Sequence, residues 1–243
     1  MGKVPKIYIG TSGWSYEHWR EVFYPPELKS EELLSFYSKH FKTVEINSSF
    51  YHLPKETTFE NWRNKVPKDF LFSVKVWRRI SHLKKLKNVK DDFIIFYKRC
   101  LILENKLGPL LFQFPPNFKA DKERLNNFCS DLRKIIGKKQ KASFELRNET
   151  WFNPEIYEIL KKYNFNLCFA DTPNYPYQEE ITSDYIYLRL HGRKILYASK
   201  YTTRELKEFA KKIKKWNKET YVYFDNDAYG YAIENAMELK KLL

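Results

Sequence analysis

Hydrophobic and polar positions alternate along this chain with two different periods. Short runs in which every second residue is apolar fall at 7–13, 43–49, 71–76, 110–114, 142–147, 167–171, 185–191 and 221–227, and each predicts a β-strand. Between them, apolar residues spaced three and four apart predict helices over 31–41, 58–65, 89–106, 121–136, 154–163, 204–216 and 231–242. Acidic residues behind Ser30, Asp121 and Thr203 mark helix starts. Regular strand–helix alternation implies a parallel sheet covered by helices. Eight rounds of it in 243 residues imply closure into a single TIM-type (β/α)8 barrel, one domain over 1–243. The interval 172–183 breaks the rhythm, carrying Pro173 and Pro176 and no apolar stripe. The helix after the sixth strand is therefore expected to be missing or reduced to a turn.

The two faces of each strand differ. Val44 and Ile46 oppose Glu45 and Asn47; Phe72, Val74 and Val76 oppose Ser73 and Lys75; Ile186, Leu188 and Leu190 oppose Tyr187, Arg189 and His191. One face is uniformly apolar and the other turns polar toward the C-terminal end. If the apolar faces meet the helices, the polar ends converge in the barrel mouth, where barrel enzymes keep their chemistry. The converging set is Ser12, Glu45, Asn47, Lys75, Gln113, Glu145, Arg147, Asp171, Arg189, His191, Asp225 and Asp227. In the sixth strand this reading aligns Asp171 with Leu167 and Phe169, against Cys168 and Ala170. So many buried charges must neutralise one another or hold a ligand. Glu45, Lys75, Glu145, Asp171, His191 and Asp225 are the catalytic candidates. Ser12, Asn47, Gln113, Arg147, Arg189 and Asp227 are candidate substrate contacts, joined by Trp14, Tyr16, Tyr51, His82 and Trp151 from the loops that follow the strands. Clustered loop aromatics can stack on bases or sugars, or simply pack on the rim. The bland alternative for the polar set is a structural ion-pair network.

Composition changes this picture little. Lys and Arg number 44 against 30 Asp and Glu, a net charge of +14, which favours anionic partners such as nucleic acid, although the charge is spread along the chain. Arg78, Arg79, Lys84, Lys85 and Lys87 form its densest run, suited to phosphate or merely a solvated face. A hydrophobic fraction of 43% excludes disorder, and no run approaches a membrane span. Cys100, Cys129 and Cys168 lie far apart and form no zinc or disulfide framework, in keeping with a reducing cytoplasm. A strand starting almost at the first residue leaves no room for a signal peptide.

Several longer strings are more specific. Ile9-Gly-Thr-Ser-Gly-Trp-Ser-Tyr16, Phe23-Tyr-Pro-Pro26, Thr43-Val-Glu-Ile-Asn-Ser-Ser-Phe-Tyr51, Phe72-Ser-Val-Lys75, Leu111-Phe-Gln-Phe-Pro-Pro116, Phe144-Glu-Leu-Arg147 with Trp151, Tyr187-Leu-Arg-Leu-His-Gly192 and Tyr223-Phe-Asp-Asn-Asp227 resemble the YecE-like family, also called domain of unknown function 72. Ser81-His82 stands where Thr-His is commoner. The resemblance runs through nearly the whole chain and implies a single TIM-type barrel, without supplying a reaction.

Three functions fit the residues. A hydrolase or lyase on a phosphorylated or nucleic-acid-derived substrate would use the carboxylates and His191 around a divalent metal, with Arg147, Arg189 and Lys75 as competitors for those carboxylates. A metal-free acid–base enzyme on a sugar-like or anionic molecule would use Glu45 or Glu145 as base, Lys75 as acid or imine-forming amine, and the arginines as anion clamps. A non-enzymatic nucleic-acid-binding module would rely on charge and aromatic loops. An enzyme on an anionic substrate is the leading expectation; the cofactor and the oligomeric state are left open.

Overall fold

The structure, a computed structural model, describes residues 4–243. The strands are β1 (Ile7–Thr11), β2 (Thr43–Ile46), β3 (Leu71–Lys75), β4 (Leu107–Gln113), β5 (Ala142–Glu145), β6 (Asn166–Leu167), β7 (Phe169–Asp171), β8 (Tyr185–Leu190) and β9 (Glu219–Phe224). The helices are α1 (Leu33–His40), α2 (Ser48–Tyr51), α3 (Glu56–Asn64), α4 (Lys90–Cys100), α5 (Lys122–Ile136), α6 (Pro154–Lys162), α7 (Thr203–Trp216) and α8 (Tyr231–Leu242). Their starts are chemically marked: Asp121 accepts the Arg124 amide, Asn153 caps α6 ahead of Pro154, and Thr202 and Glu205 close a reciprocal capping box on α7. Residues 172–184 contain no helix.

All strand pairings are parallel and form two sheets, ordered β1-β9-β8-β7 and β2-β3-β4-β5-β6. One uninterrupted eight-stranded ladder, as the barrel expectation would have it, does not form. The expected sixth strand is split at Cys168 into β6 and β7, which belong to different sheets.

Side chains work at both seams. Between β1 and β2 the backbones crowd so closely that a Cβ on Gly10 would lie 2.2 Å from the Thr43 carbonyl oxygen. There the Tyr37 hydroxyl accepts from the Thr11 amide at 2.9 Å and donates to the Thr43 carbonyl at 3.1 Å. One bridge, Ser12 to Glu45, completes this seam. At the other, Asn166 Nδ2 donates to the Tyr185 carbonyl at 3.1 Å, and the Thr182 hydroxyl accepts the Leu167 amide at 2.7 Å.

The core has two parts. Aliphatic and aromatic faces of the strands pack against the helices in a large cluster running from Ile9 to Leu239. A separate small cluster of Leu111, Cys168, Tyr185, Tyr187, Tyr221 and Tyr223 fills the space on the other face of the strands. These tyrosines are amphipathic, so their rings fill space while their hydroxyls find partners: Tyr223 with Thr43 at 2.7 Å and Tyr187 with Ser73 at 2.5 Å. They form the floor beneath the polar residues above.

Candidate active site

Arg189, on β8, is completely buried and organises the polar layer. Its Nη2 donates to Glu45 Oε1 at 2.7 Å, Asp225 Oδ2 at 3.0 Å and Ser12 Oγ at 3.0 Å. Its Nη1 donates to Glu145 Oε2 at 2.5 Å and Nε to Glu45 Oε2 at 3.1 Å. Glu45 also accepts from Ser12 at 2.5 Å and Tyr187 at 2.6 Å. Glu145 accepts from Gln113 at 3.0 Å and Arg147 at 2.7 Å. Burial alone would raise the Glu145 pKa, but Arg147, Arg189 and His191 outweigh it and hold the carboxyl well below the ordinary range. Asp225 is partly exposed; desolvation pulls its pKa up, but Arg189 and His191 outweigh it and hold the carboxyl well below the ordinary range. His191 Nδ1 lies 2.9 Å from Asp225 Oδ2, but out of line for a good hydrogen bond.

Lys75 behaves differently. Glu45, Glu145 and Asp225 are near enough to act on its charge, but no carboxylate lies within ion-pair distance of its amine among the described residues. Instead Nζ sits 4.3 Å from the centre of the Phe50 ring. Desolvation, then Arg189, push its pKa down to about 8, against the three acids. The side chain is partly open at its tip, where it borders a cavity of about 520 Å³ together with Tyr16, Asn47, Tyr51, Asp225 and Asp227. His82 stands edge-on to Phe50 with Nδ1 2.9 Å from the Ser81 hydroxyl. Burial, and then Lys75, Arg147 and Arg78, push its pKa down to about 4.

The rim completes the cavity. Asp227 accepts from the Trp19 indole at 2.7 Å and faces His18 at 3.0 Å. Burial raises its pKa to about 6, with Asp225 adding to the effect. Tyr16 donates to the Ser12 carbonyl at 2.6 Å. Gly13 has φ +92°, and a Cβ there would lie 2.5 Å from the Tyr16 hydroxyl.

Two candidates fall elsewhere. Asp171 accepts from Tyr201 at 2.7 Å and faces Arg193 at 3.2 Å, beside α7 and apart from the Arg189 cluster. The expected parity of this strand is inverted: Cys168 joins the inner tyrosines, while Leu167 and Phe169 join the outer core. Both faces of 167–170 are apolar, so alternation could not tell inside from outside. Trp151 is fully buried, donates to the Phe118 carbonyl at 2.5 Å and packs on Phe114, so its ring offers no face to a ligand.

Some participants escaped the sequence reading. Tyr197 lies 3.3 Å from Arg147 and lines the cavity, but nothing in its loop distinguishes it. Trp62 faces Trp14 at 5.5 Å, edge to face; three positions after Phe59 on α3, it reads as part of the helix's core stripe. Among the described residues, no group of three or more His, Cys, Asp and Glu side chains is disposed to hold a metal ion. The acids converge on arginines and not on one another. The dense basic run is also partly spent, with Arg79 and Lys84 both on Asp92.

Parallel strands under helices, with a polar cluster at the strand C-termini, define an α/β protein with its candidate site at the carboxyl edge of the sheets. The family model described as "Protein of unknown function DUF72" matches residues 8–243, and the chain belongs to that family. UPF0759 protein YunF of Bacillus subtilis (strain 168) is 28% identical over 98% of this chain and 94% of its own. UPF0759 protein YecE of Escherichia coli (strain K12) is 32% identical over 46% of this chain and 39% of its own. Among solved structures, a DUF72 family protein (TM1631) from Thermotoga maritima MSB8 superposes with a TM-score of 0.86 at 32% identity, covering 98% of both chains. Another (EF0366), from Enterococcus faecalis V583, gives 0.82 at 25% identity over 98% of this chain and 95% of that one. The YecE-like resemblance thus holds over residues 8–243. Among the described residues, no helix is long and apolar enough to cross a membrane.

Proposed function

We propose that the two sheets work as one closed TIM-type barrel, and that its C-terminal mouth is the active site of an enzyme performing metal-free acid–base chemistry on a small anionic substrate. The supporting observation is Lys75, an amine without a carboxylate partner, shifted to about 8 and bordering a cavity. Such a group exchanges protons near neutral pH, as a general acid or base must. Asp225, beside it in the cavity wall, is kept ionised by Arg189 and His191 and serves to orient the substrate and hold the charge of the Lys75 ammonium, not to take a proton. Glu45, Glu145 and Arg189 are positioning residues: each carboxylate oxygen is already engaged, and the depressed Glu145 is a poor proton acceptor. Lys75, Arg147 and Arg78, which add to the effect of burial in suppressing His82, favour an anion on that side. The metal-assisted hydrolase reading has less support, because the acids it needs are bound to Arg189, Arg147 and Arg193. A concave site at the strand ends also suits a small molecule better than a duplex surface.

The test is a screen of phosphorylated sugars and 2-oxo acids for turnover by NMR. Any substrate found should lose about 10²-fold or more in rate with Lys75→Met or Asp225→Asn, and Lys75→Met should show no loss of melting temperature. Turnover that survives Lys75→Met contradicts the proposal.

A further inference from the structure

We infer that the mouth takes a two-part ligand, whose flat nitrogen-bearing ring lies in a second pocket beside the Lys75 cavity. The inference rests on reading that cavity as a site for an anionic group. The second pocket, of about 310 Å³, has Trp14, Trp62, Tyr16 and Asn47 in its walls, and it shares Tyr16 and Asn47 with the larger cavity. One ligand can therefore reach from one to the other past those two side chains. Trp14 and Trp62 meet at 90° and form an aromatic corner, and both are partly exposed. Flat rings stack on such surfaces whatever their sequence of substituents.

Asn47 selects the chemistry. Ser12 Oγ donates its one proton to Glu45 Oε1, so it can only accept from Asn47. The Asn47 amide must then present Nδ2 to Ser12, which it does at 2.6 Å, and its Oδ1 is left buried without a donor. A small turn of the partly exposed Asn47 side chain would bring that oxygen to the pocket wall, where a ring edge carrying an amino or N–H group would satisfy it and a plain hydrocarbon ring would not. A heteroaromatic ring with an N–H donor, linked to an anion reaching toward Lys75, is the chemistry of a nucleoside monophosphate.

Titration calorimetry with adenosine 5′-monophosphate, ribose 5-phosphate and inorganic phosphate tests this. Adenosine 5′-monophosphate should bind about tenfold or more tightly than ribose 5-phosphate. Trp62→Leu, on the surface helix α3, should abolish that advantage and leave ribose 5-phosphate unaffected; Trp14→Leu repeats the test from the other wall. Equal affinities, an advantage that survives both substitutions, or no nucleotide binding at millimolar concentration would each overturn the inference. Lys75→Met separates it from the underlying reading. If phosphate and ribose 5-phosphate bind that variant undiminished while the ring advantage persists, the anion reading fails and the ring pocket stands.

Discussion

Lys75 and Arg189 carry charge in the same small volume with opposite consequences. Arg189 spends its N–H groups on Glu45, Glu145, Asp225 and Ser12. Arg189→Met would leave two buried carboxylates facing each other without their shared cation, and is expected to cost about 3–5 kcal/mol of stability by chemical denaturation. Lys75, without such a partner, is expected to show the reverse. Its folded pKa, about 8, lies below the ordinary 10.5. Below pH 8 both folded and unfolded chains hold the proton, and the folded state bears the full cost of the buried ammonium. Between pH 8 and 10.5 the unfolded chain binds more protons, so that cost is relieved as pH rises. Lys75→Met should therefore stabilise the protein, by about 1–3 kcal/mol at pH 7 and by less at pH 10; a gain that grows with pH would contradict this. At this scale the sequence was readable wherever one strand face was plainly polar, as at Glu45, Lys75, Glu145, Arg189 and Asp225. It was not readable at Asp171, where apolar residues on both faces hid the parity, nor at Trp151, whose place after a strand end says nothing about the direction of its ring.

Strands and helices were legible because their periods differ and their ends carry caps, and the helix-free interval at 172–184 followed from its prolines. The four-residue α2 and the early start of β4 at Leu107 were not, being too short or too glycine- and proline-marked to show a period. The seams were invisible for another reason: they depend on side chains from remote elements. Tyr37, on α1, bridges Thr11 and Thr43 across the β1–β2 gap. Tyr37→Phe removes that bridge and leaves a buried amide unpaired, an expected loss of about 1–3 kcal/mol. Hydrogen exchange should show the Thr11 amide losing protection first; protection unchanged there would mean the seam is held by something else.

The molecule as a whole places its +14 charge on the outside and a nearly balanced cluster within, where Glu45, Glu145 and Asp225 face Arg189, Arg147 and Lys75. Binding of a small anion at the mouth should accordingly respond to Lys75→Met far more than to removal of surface lysines such as Lys211 or Lys215, whereas a surface-driven interaction would show the opposite and a steep salt dependence. The family match and the solved relatives establish the shape in which this cluster sits, and what it does turns on one amine. The most direct measurement is an NMR titration of the protein with ¹³C-labelled lysine side chains, the Lys75 signal being identified by its loss in Lys75→Met. A midpoint at about pH 8 is the expected result. A midpoint at 10.5 or above would mean that Lys75 is an ordinary paired lysine, and would contradict the account.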